Sequence, residues 1–274
     1  MDLQDKIVVL LPIYRGDKYN YFQQSLNSIL NQSYRNVLIY IGVDGPVSPQ
    51  IRLYLEEIEN DARIRVFNYE VNRGLSVVLN DLLQVCFKEN INFIARMDAD
   101  DIARPERFKK QLTFMLTHPD IDVVGGAISE INEEGDYLNK TIQYPLTSAE
   151  CRKFFSKRNP LAHPAVLFRK RFFEKAGIYR NEYRQNQDTI LWFDGFMNDC
   201  QFANIPDTIL DFRITYNLLK KRRSGYKFAR KNLTDRLKIN RKLHYGLSAN
   251  LFAFFIFLIT VSPVFVKRLA YKFR

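Results

Sequence analysis

The first half of the chain alternates between two hydrophobic periods. Four short segments rich in valine, isoleucine and aromatic residues predict β-strands, and they are residues 6–12, 36–44, 63–69 and 92–98. Between them, apolar residues recur at three- and four-residue spacing, which predicts helices in "YNYFQQSLNSILNQS", "SPQIRLYLEEIEN" and "GLSVVLNDLLQVCFKEN". Ser48 and Pro49 are expected to begin the second of these helices. The alternation predicts an α/β fold with right-handed βαβ units and a mostly parallel sheet, covered by helices on both faces.

The second half of the chain is less regular. Its pattern predicts two strands around the turn "NEEGD" within residues 121–144, a strand at 163–170, a helix at 187–200, and a strand, a turn and a strand at 202–215. The regular pattern ends near residue 216. We therefore expect a folded body of residues 1–216 and a separate tail of residues 217–274.

Four loops of the predicted sheet are candidates for ligand binding. Ligands of such sheets bind outside the carboxyl ends of the strands, and this rule selects residues 12–15, 44–46, 72–74 and 98–101. None of them is a glycine-rich phosphate loop, because neither G-x-x-x-x-G-K-[ST] nor G-x-G-x-x-G occurs in the sequence. A nucleotide would instead be held by side-chain carboxylates together with a metal.

The fourth loop contains three carboxylates, Asp98, Asp100 and Asp101, directly after an apolar run. Crowded carboxylates repel each other unless a cation or a strong donor lies among them. Mg²⁺ and Mn²⁺ prefer oxygen ligands completed by water and substrate phosphates, so Asp98 and Asp100 are candidate metal ligands. Asp101 is expected to help start the next helix. A solvated acidic loop is the alternative that this pattern leaves open.

The net charge of +11 belongs to the tail. Residues 220–242 carry a net charge of +10 and residues 267–274 add +4, which leaves −3 for residues 1–219. A nucleic-acid-binding body is therefore disfavoured, because such proteins carry their basic surface where the ligand binds.

An uncharged segment of 21 residues, 246–266, lies between the two basic blocks. Its length meets the roughly 20 residues that a membrane-spanning helix needs, although an interfacial helix and a buried core helix remain open. Anionic lipid headgroups favour flanking Lys and Arg residues, so we expect membrane contact. Because the larger basic block precedes the segment, the body is expected to face the cytoplasm.

The cysteines and the N-terminus agree with this location. Cys86, Cys151 and Cys200 lie far apart and have no C-x-x-C spacing, which favours a reducing compartment. The opening "MDLQDK" has neither a basic n-region nor an apolar h-region, so no secretory signal is expected.

Six motifs occur in a fixed order along the body: "VVLLPIYRG", "SLNSILNQSY", "VDGP", "NRGLSVVLND", "ARMDADDIARPERFKKQ" and "QDTILWF". Together they resemble the inverting family 2 glycosyltransferases with the GT-A fold, most of all the bacterial enzymes of O-antigen and capsule assembly. The resemblance covers roughly residues 6–215. It implies a Rossmann-like GT-A domain with a nucleotide-sugar half at about 1–128 and an acceptor half at about 129–216.

The resemblance implies a donor pocket at the carboxyl ends of the first strands. Pro12, Tyr14 and Asp44 would line the pocket for the nucleotide base and ribose. Arg73 would approach the nucleotide or the diphosphate, and Asp98 would contact the ribose or the metal.

The resemblance also implies the groups that carry the chemistry. Asp100 would hold Mn²⁺ or Mg²⁺ on the diphosphate, and Asp188 would be the general base that takes the proton from the attacking hydroxyl. His163 is a further candidate metal ligand, with a structural role at a strand start as the alternative. Trp192 is a candidate for stacking on an acceptor sugar, with burial on the apolar face of its helix as the alternative. The sequence departs from the family pattern after Asp188, where Ile190 replaces a usual acidic residue.

These features predict a metal-dependent glycosyltransferase on the cytoplasmic face of the bacterial inner membrane, attached through its tail. It would move a sugar from a nucleotide-sugar donor, with a UDP-sugar favoured, to a hydroxyl of a lipid-linked saccharide with inversion. The first alternative is a sugar-nucleotide pyrophosphorylase, although "PIYRGD" lacks the glycine-rich loop of those enzymes. A non-catalytic membrane scaffold remains open as well.

Overall fold

The computed structural model describes residues 4–215, 225–262 and 266. The strands are β1 (Ile7–Tyr14), β2 (Val37–Asp44), β3 (Ile64–Tyr69), β4 (Phe93–Arg96), β5 (Ile102–Ala103), β6 (Val123–Ile131), β7 (Tyr137–Ile142), β8 (Leu167–Arg169) and β9 (Phe202–Arg213). The helices are α1 (Tyr19–Leu30), α2 (Pro49–Ile58), α3 (Leu75–Lys88), α4 (Arg107–Thr117), α5 (Ser148–Phe155), α6 (Lys170–Ala176), α7 (Gln187–Met197), α8 (Tyr226–Lys242) and α9 (Leu247–Val261). A 3₁₀ turn spans His163–Ala165.

The strands of the described residues form one sheet in the order β3-β2-β1-β4-β8-β6-β9-β5, and β7 pairs with β6. Strands β3, β2, β1 and β4 pair in parallel, so their carboxyl ends meet at one edge of the sheet. Strand β8 joins them antiparallel, whereas β6 and β9 pair in parallel. The predicted α/β fold is confirmed, with a mixed sheet whose longer ladders are parallel.

Both faces of the sheet are covered by apolar packing. The side chains of β1 alternate between two core clusters, with Ile7, Val9, Leu11 and Ile13 in one and Val8 and Leu10 in the other. Because successive side chains of a strand point to opposite faces, an unbroken apolar run is what a strand buried on both faces requires. The helix start predicted at Ser48 is also confirmed, because its side chain accepts the backbone N–H of Ile51 at 3.3 Å.

Two predictions for the second half of the chain need correction. Residues 202–215 do not form two strands with a turn between them, since β9 runs through without a break. Ile205 lies opposite Gly126 and Thr208 opposite Ala127, so Pro206 and its neighbour bulge out of the ladder. Proline has no N–H to donate and is tolerated at such a bulge. The strand predicted at 163–170 is shorter than expected, because its first residues form the 3₁₀ turn.

A buried carboxylate ties the middle of the sheet to α6. Asp122 is fully buried and accepts from Arg171, from Lys175 Nζ at 2.9 Å and from the backbone N–H of Gln201 at 2.8 Å. Burial by itself raises the pKa of Asp122, but the hydrogen bonds from Lys175, Arg171 and Gln201 bring the pKa below its usual value. Asp122 is therefore ionised in the folded protein at neutral pH.

The helices after residue 225 pack on the body and on each other. Ile239 of α8 and the following Leu243 are buried in the second core cluster, and Asn240 donates to Asn250 of α9 at 3.0 Å. Helix α9 leaves a set of large apolar side chains exposed: Leu247, Leu251, Phe254, Phe255 and Leu258. None of the helices within the described residues combines the length and the apolar character that crossing a membrane requires. Three features of the predicted tail lie outside the described residues: the domain boundary at 216, residues 220–224 of the first basic block, and the second basic block at 267–274.

Candidate active site

Asp44 ends β2 and holds the loop of residues 72–74. Its carboxylate is only 5% exposed and accepts from Asn72 Nδ2 at 2.8 Å, from the backbone N–H of Arg73 at 2.6 Å and from that of Gly74 at 2.9 Å. Gly45 follows with φ of +80°, and a Cβ there would lie 2.7 Å from the backbone nitrogen of Asn72. The structure thus brings two of the four predicted loops into direct contact, with Asp44 as the acceptor.

Arg73 lies on the rim of this loop. Its Nη1 atom donates to Asp81 Oδ2 at 2.7 Å, and its guanidinium lies 5.1 Å from the centre of the Tyr69 ring. Both partners of the ion pair are about two-fifths exposed, so the pair is only weakly stabilising. Arg73 would therefore leave Asp81 at little cost.

Pro12 and Tyr14 end β1 next to Asp44. Tyr14 lies opposite Asp44 in the parallel register, and Pro12 lies opposite Gly42. Pro12 is buried, and the half-buried Tyr14 ring packs so closely over Gly16 that a Cβ there would lie 2.5 Å from it. Of Pro12 and Tyr14, only Tyr14 therefore has a partly exposed ring at this edge of the sheet.

The three carboxylates after β4 form one cluster. Oxygen atoms of Asp98, Asp100 and Asp101 all lie within 4.8 Å of one another. Asp101 is fully buried; its Oδ1 atom accepts the backbone N–H of Arg213 at 2.9 Å, and its Oδ2 atom has no hydrogen-bond partner among the described residues. Burial first, and then the negative charges of Asp100 and Asp98, raise the pKa of Asp101 well above its usual value. A buried carboxylate with one oxygen lacking a donor, clustered with two more carboxylates, fits a divalent cation better than it fits a solvated loop.

The prediction for Asp101 needs correction. It does not start a helix, because α4 begins six residues later at Arg107 and β5 lies between. Asp101 is the most buried member of the acidic cluster. The sequence placed three acidic residues together but gave no indication of which of them is buried.

Two arginines that the sequence analysis did not select hold the cluster. Arg96 ends β4, is 3% exposed and donates to Asp98, while its Nε and Nη1 atoms have no partner among the described residues. Arg213 ends β9 and donates through Nε to the backbone oxygen of Asp100 at 2.9 Å. The charged residue inside the apolar run "FIAR" was the one sequence signal for Arg96.

His163 is not part of the acidic cluster. Its Nε2 atom lies 2.7 Å from the hydroxyl of Tyr179, and both side chains are buried. Burial, with a further contribution from the positive charge of Arg96, brings the pKa of His163 well below its usual value. His163 is therefore a neutral, buried partner of Tyr179, and the structure does not support it as a metal ligand. Burial likewise raises the pKa of Tyr179, and the charges of Asp188 and Asp98 add to the rise.

Asp188 lies in the first turn of α7. Its Oδ1 atom accepts the backbone N–H of Thr189 at 2.8 Å, and its Oδ2 atom accepts from Asn159 Nδ2 at 2.8 Å. The preceding Asn186 adopts the left-handed conformation with φ of +61°, which turns the chain into the helix. A carboxylate at a helix N-terminus is favoured by the helix dipole. Asp188 is half-buried.

Trp192 lies in the core. It is fully buried, with the rings of Phe168, Phe172 and Phe202 at 5.8–6.3 Å between ring centres. A ring without an exposed face has nothing to offer an acceptor sugar. The alternative weighed for Trp192, burial on the apolar face of its helix, is what the structure shows.

Comparison with known proteins identifies the family. The model of glycosyl transferase family 2 matches residues 8–177, which include the acidic cluster and the loop held by Asp44. The chain belongs to glycosyl transferase family 2.

Curated relatives of this family 2 member cover nearly its whole length. The amylovoran biosynthesis glycosyltransferase AmsE of Erwinia amylovora is 30% identical over 96% of this chain and 97% of its own. The UDP-Gal:α-D-GlcNAc-diphosphoundecaprenol β-1,3-galactosyltransferase of Escherichia coli is 29% identical over 98% of this chain and 94% of its own. Among solved structures, S. aureus TarS 1–349 in complex with UDP-GlcNAc matches with a TM-score of 0.64 and 16% identity, covering 90% of this chain and 69% of that chain. The last likeness shows a shared fold.

Proposed function

We propose that this family 2 glycosyltransferase transfers a sugar from a UDP-sugar to a hydroxyl of a lipid-linked saccharide, with inversion, in the assembly of a surface polysaccharide such as O-antigen or capsule. The observation that carries the proposal is the acidic cluster at the carboxyl end of β4, with one buried oxygen lacking a donor. The UDP-GlcNAc complex of TarS supports a UDP-sugar donor, and the name of the E. coli relative supports an acceptor on a lipid diphosphate.

The donor would lie across the edge formed by β2, β1 and β4. Tyr14 and the loop held by Asp44 would face the nucleoside, and Arg73 would turn from Asp81 toward the diphosphate. Asp98 and Asp100 would hold Mn²⁺ or Mg²⁺, with the buried Asp101 as the third carboxylate of the cluster. A bound divalent cation would neutralise the negative charge that develops on the leaving diphosphate.

Asp188 would act on the acceptor. Its carboxylate would take the proton of the attacking hydroxyl as the new bond to the anomeric carbon forms and the bond to the diphosphate breaks. Attack from the face opposite the leaving group inverts the anomeric centre without a covalent intermediate. The half-buried position of Asp188 supports this role, because a hydroxyl can approach it while α7 holds it in place.

The proposal is tested by metal-dependent thermal stabilisation. A ligand that binds only the folded protein raises its melting temperature, so UDP-Gal, UDP-GlcNAc, a GDP-sugar and a dTDP-sugar are compared with and without Mn²⁺. We expect stabilisation by a UDP-sugar that needs Mn²⁺ in the wild type and is lost in Asp100→Ala. Stabilisation by a GDP- or dTDP-sugar alone would overturn the donor class, and Mn²⁺-independent stabilisation that persists in Asp100→Ala would overturn the metal site.

We also propose that the exposed apolar face of α9 lies in the surface of the cytoplasmic membrane leaflet. The basic residues of α8 and the exposed Phe254 and Phe255 of α9 support this, since aromatic side chains and Lys or Arg residues favour an anionic lipid interface. Phe254→Glu combined with Phe255→Glu should reduce sedimentation with phosphatidylglycerol vesicles. Leu53→Glu changes an equally exposed apolar residue of α2 and serves as the control. Unchanged sedimentation of the double variant would contradict this contact.

A further inference from the structure

A single amide side chain connects Asp188 to the basic helix of the tail. Asn159 Nδ2 donates to Asp188 Oδ2 at 2.8 Å, and Asn159 Oδ1 accepts from Arg236 Nη2 at 3.0 Å. Arg236 belongs to α8, which lies in the part of the chain expected to form a separate tail. Helix α8 of the tail is thus connected to the candidate base Asp188 through one residue, Asn159.

The chemistry of its neighbours fixes the orientation of the Asn159 amide. An ionised carboxylate only accepts hydrogen bonds and a guanidinium only donates them, so the NH₂ group must face Asp188 and the oxygen must face Arg236. The hydroxyl of Thr189 donates to the same oxygen at 3.1 Å. A flipped amide would place its NH₂ group against the guanidinium of Arg236 and its oxygen against the carboxylate of Asp188. Asn159 therefore presents its NH₂ group to Asp188 as long as Arg236 holds its oxygen.

Arg236 is itself held in place. Its Nη1 atom donates to the backbone oxygen of Phe155 at 3.1 Å, and its guanidinium lies 5.1 Å from the centre of the Phe155 ring. Burial lowers the pKa of Arg236, and the charge of Asp188 partly counters this. Ile239, one turn further along α8, is buried in the core. Helix α8 thus has a fixed position against the body.

We propose that Asn159 and Arg236 are positioning residues for Asp188, and that α8 thereby belongs to the catalytic unit as well as to the membrane-facing tail. The inference rests on the proposed role of Asp188 as the general base. A cation in direct contact with a carboxylate weakens it as a base. An interposed amide avoids this, because it orients the carboxylate with a neutral hydrogen bond and keeps the positive charge one residue away.

No ion pair to Asp188 exists within the described residues, which agrees with this arrangement. Arg236 of α8 and Tyr179 of the segment before α7 both interact electrostatically with Asp188. Of these two residues, only Arg236 is connected to Asp188 through an intervening side chain, that of Asn159, which donates to Asp188.

The test uses the full-length chain with the stabilising UDP-sugar and a synthetic GlcNAc-diphospholipid, with release of UDP as the readout. Asn159→Ala should lower kcat about 10- to 100-fold, part of the 10²- to 10⁴-fold that a positioned base contributes. The KM for the UDP-sugar should change less than about threefold, because Asn159 is bonded to Asp188, Thr189 and Arg236 and to none of the residues proposed to hold the donor.

A double-mutant cycle separates positioning from a general effect of the tail. Arg236→Ala should lower kcat less than Asn159→Ala does, and it should have almost no further effect when Asn159 is already Ala. Arg52→Ala removes the same charge from an exposed position of α2 and should leave kcat unchanged. If Asn159→Ala does not fold, Asn159→Asp keeps the side-chain size, replaces the donating NH₂ group by an acceptor and should lower kcat by a similar factor.

The outcomes are distinct. Wild-type kcat in the Asn159 variants, or additive effects in the cycle, would overturn the positioning role. If Asp188→Asn itself retains turnover, the proposed base is wrong and the positioning role falls with it. If Asp188→Asn is inactive while Asn159→Ala behaves like the wild type, only the inference about positioning fails.

Discussion

Replacing Asp44 by Asn tests whether its carboxylate organises the loop at the donor edge. Oδ1 accepts one backbone N–H, that of Arg73, and Oδ2 accepts from both Asn72 and Gly74. An Asn side chain has one acceptor oxygen and one NH₂ group, so it can serve only one of the two sides. The better orientation keeps the oxygen toward Asn72 and Gly74 and turns the NH₂ group toward the N–H of Arg73.

The expected cost follows from this geometry. A hydrogen bond to a charged group is worth about 1.5–3 kcal/mol, and one such bond is lost outright while the two that remain become neutral. Water cannot replace the lost partner, because Asp44 is only 5% exposed. We expect Asp44→Asn to lower the free energy of unfolding by about 2–4 kcal/mol.

Urea unfolding measures this change, and hydrogen exchange of residues 72–74 shows whether the loop opens. Asp81→Asn is the control, because it breaks the exposed pair with Arg73 and should cost less than about 1 kcal/mol. If Asp44→Asn is no more destabilising than Asp81→Asn while the affinity for the UDP-sugar falls strongly, Asp44 is a ligand contact and not the organiser of the loop.

Three further predictions concern stability. Asp122→Asn should lower the free energy of unfolding by about 3–5 kcal/mol in urea at pH 7, because it leaves Arg171 and Lys175 without their buried partner. The pKa of Asp122 is lowered in the folded protein, so this stabilisation is lost as the pH falls below about 4. The pKa of His163 is also lowered in the folded protein, so below pH about 6.5 its side chain takes up a proton only in the unfolded chain. The free energy of unfolding should therefore fall by up to about 1.4 kcal/mol per pH unit, and this slope should be absent in His163→Gln. Gly45→Ala should cost about 1–3 kcal/mol because of its positive φ and the contact with Asn72. Gly246→Ala meets nothing within 4 Å and should cost less than about 1 kcal/mol, the loss expected for Ala at the N-cap of α9; thermal unfolding compares the two.

The parts of the fold set by local patterns were predictable from the sequence. The alternation of strands and helices in the first half depends on the spacing of apolar residues, and the acidic loop after β4 depends on three neighbours in the chain. The proline-containing bulge of β9 was not predictable in the same way. Pro206 and Asp207 form a typical turn dipeptide, and only the neighbouring strand β6 shows that the chain continues through them.

The support of the candidate site depends on contacts between distant residues. Arg213 meets the acidic loop more than 110 residues away in the chain, and Arg236 meets Asn159 across 77 residues. Spacing along the chain carries no information about such pairs, because tertiary packing selects them. The same reason applies to Trp192, because residues 189–196 of its helix are all buried by tertiary packing, and the sequence left open whether the ring packs in the core or contacts a ligand.

The most direct test of the account is the rate of sugar transfer by Asp188→Asn, measured together with donor binding. The substitution keeps the size of the side chain and its place at the start of α7 but removes the group that accepts the proton. We predict that transfer from the UDP-sugar falls by about 10²- to 10⁴-fold while Mn²⁺-dependent stabilisation by the same donor is retained. Transfer within about tenfold of the wild-type rate would contradict the account.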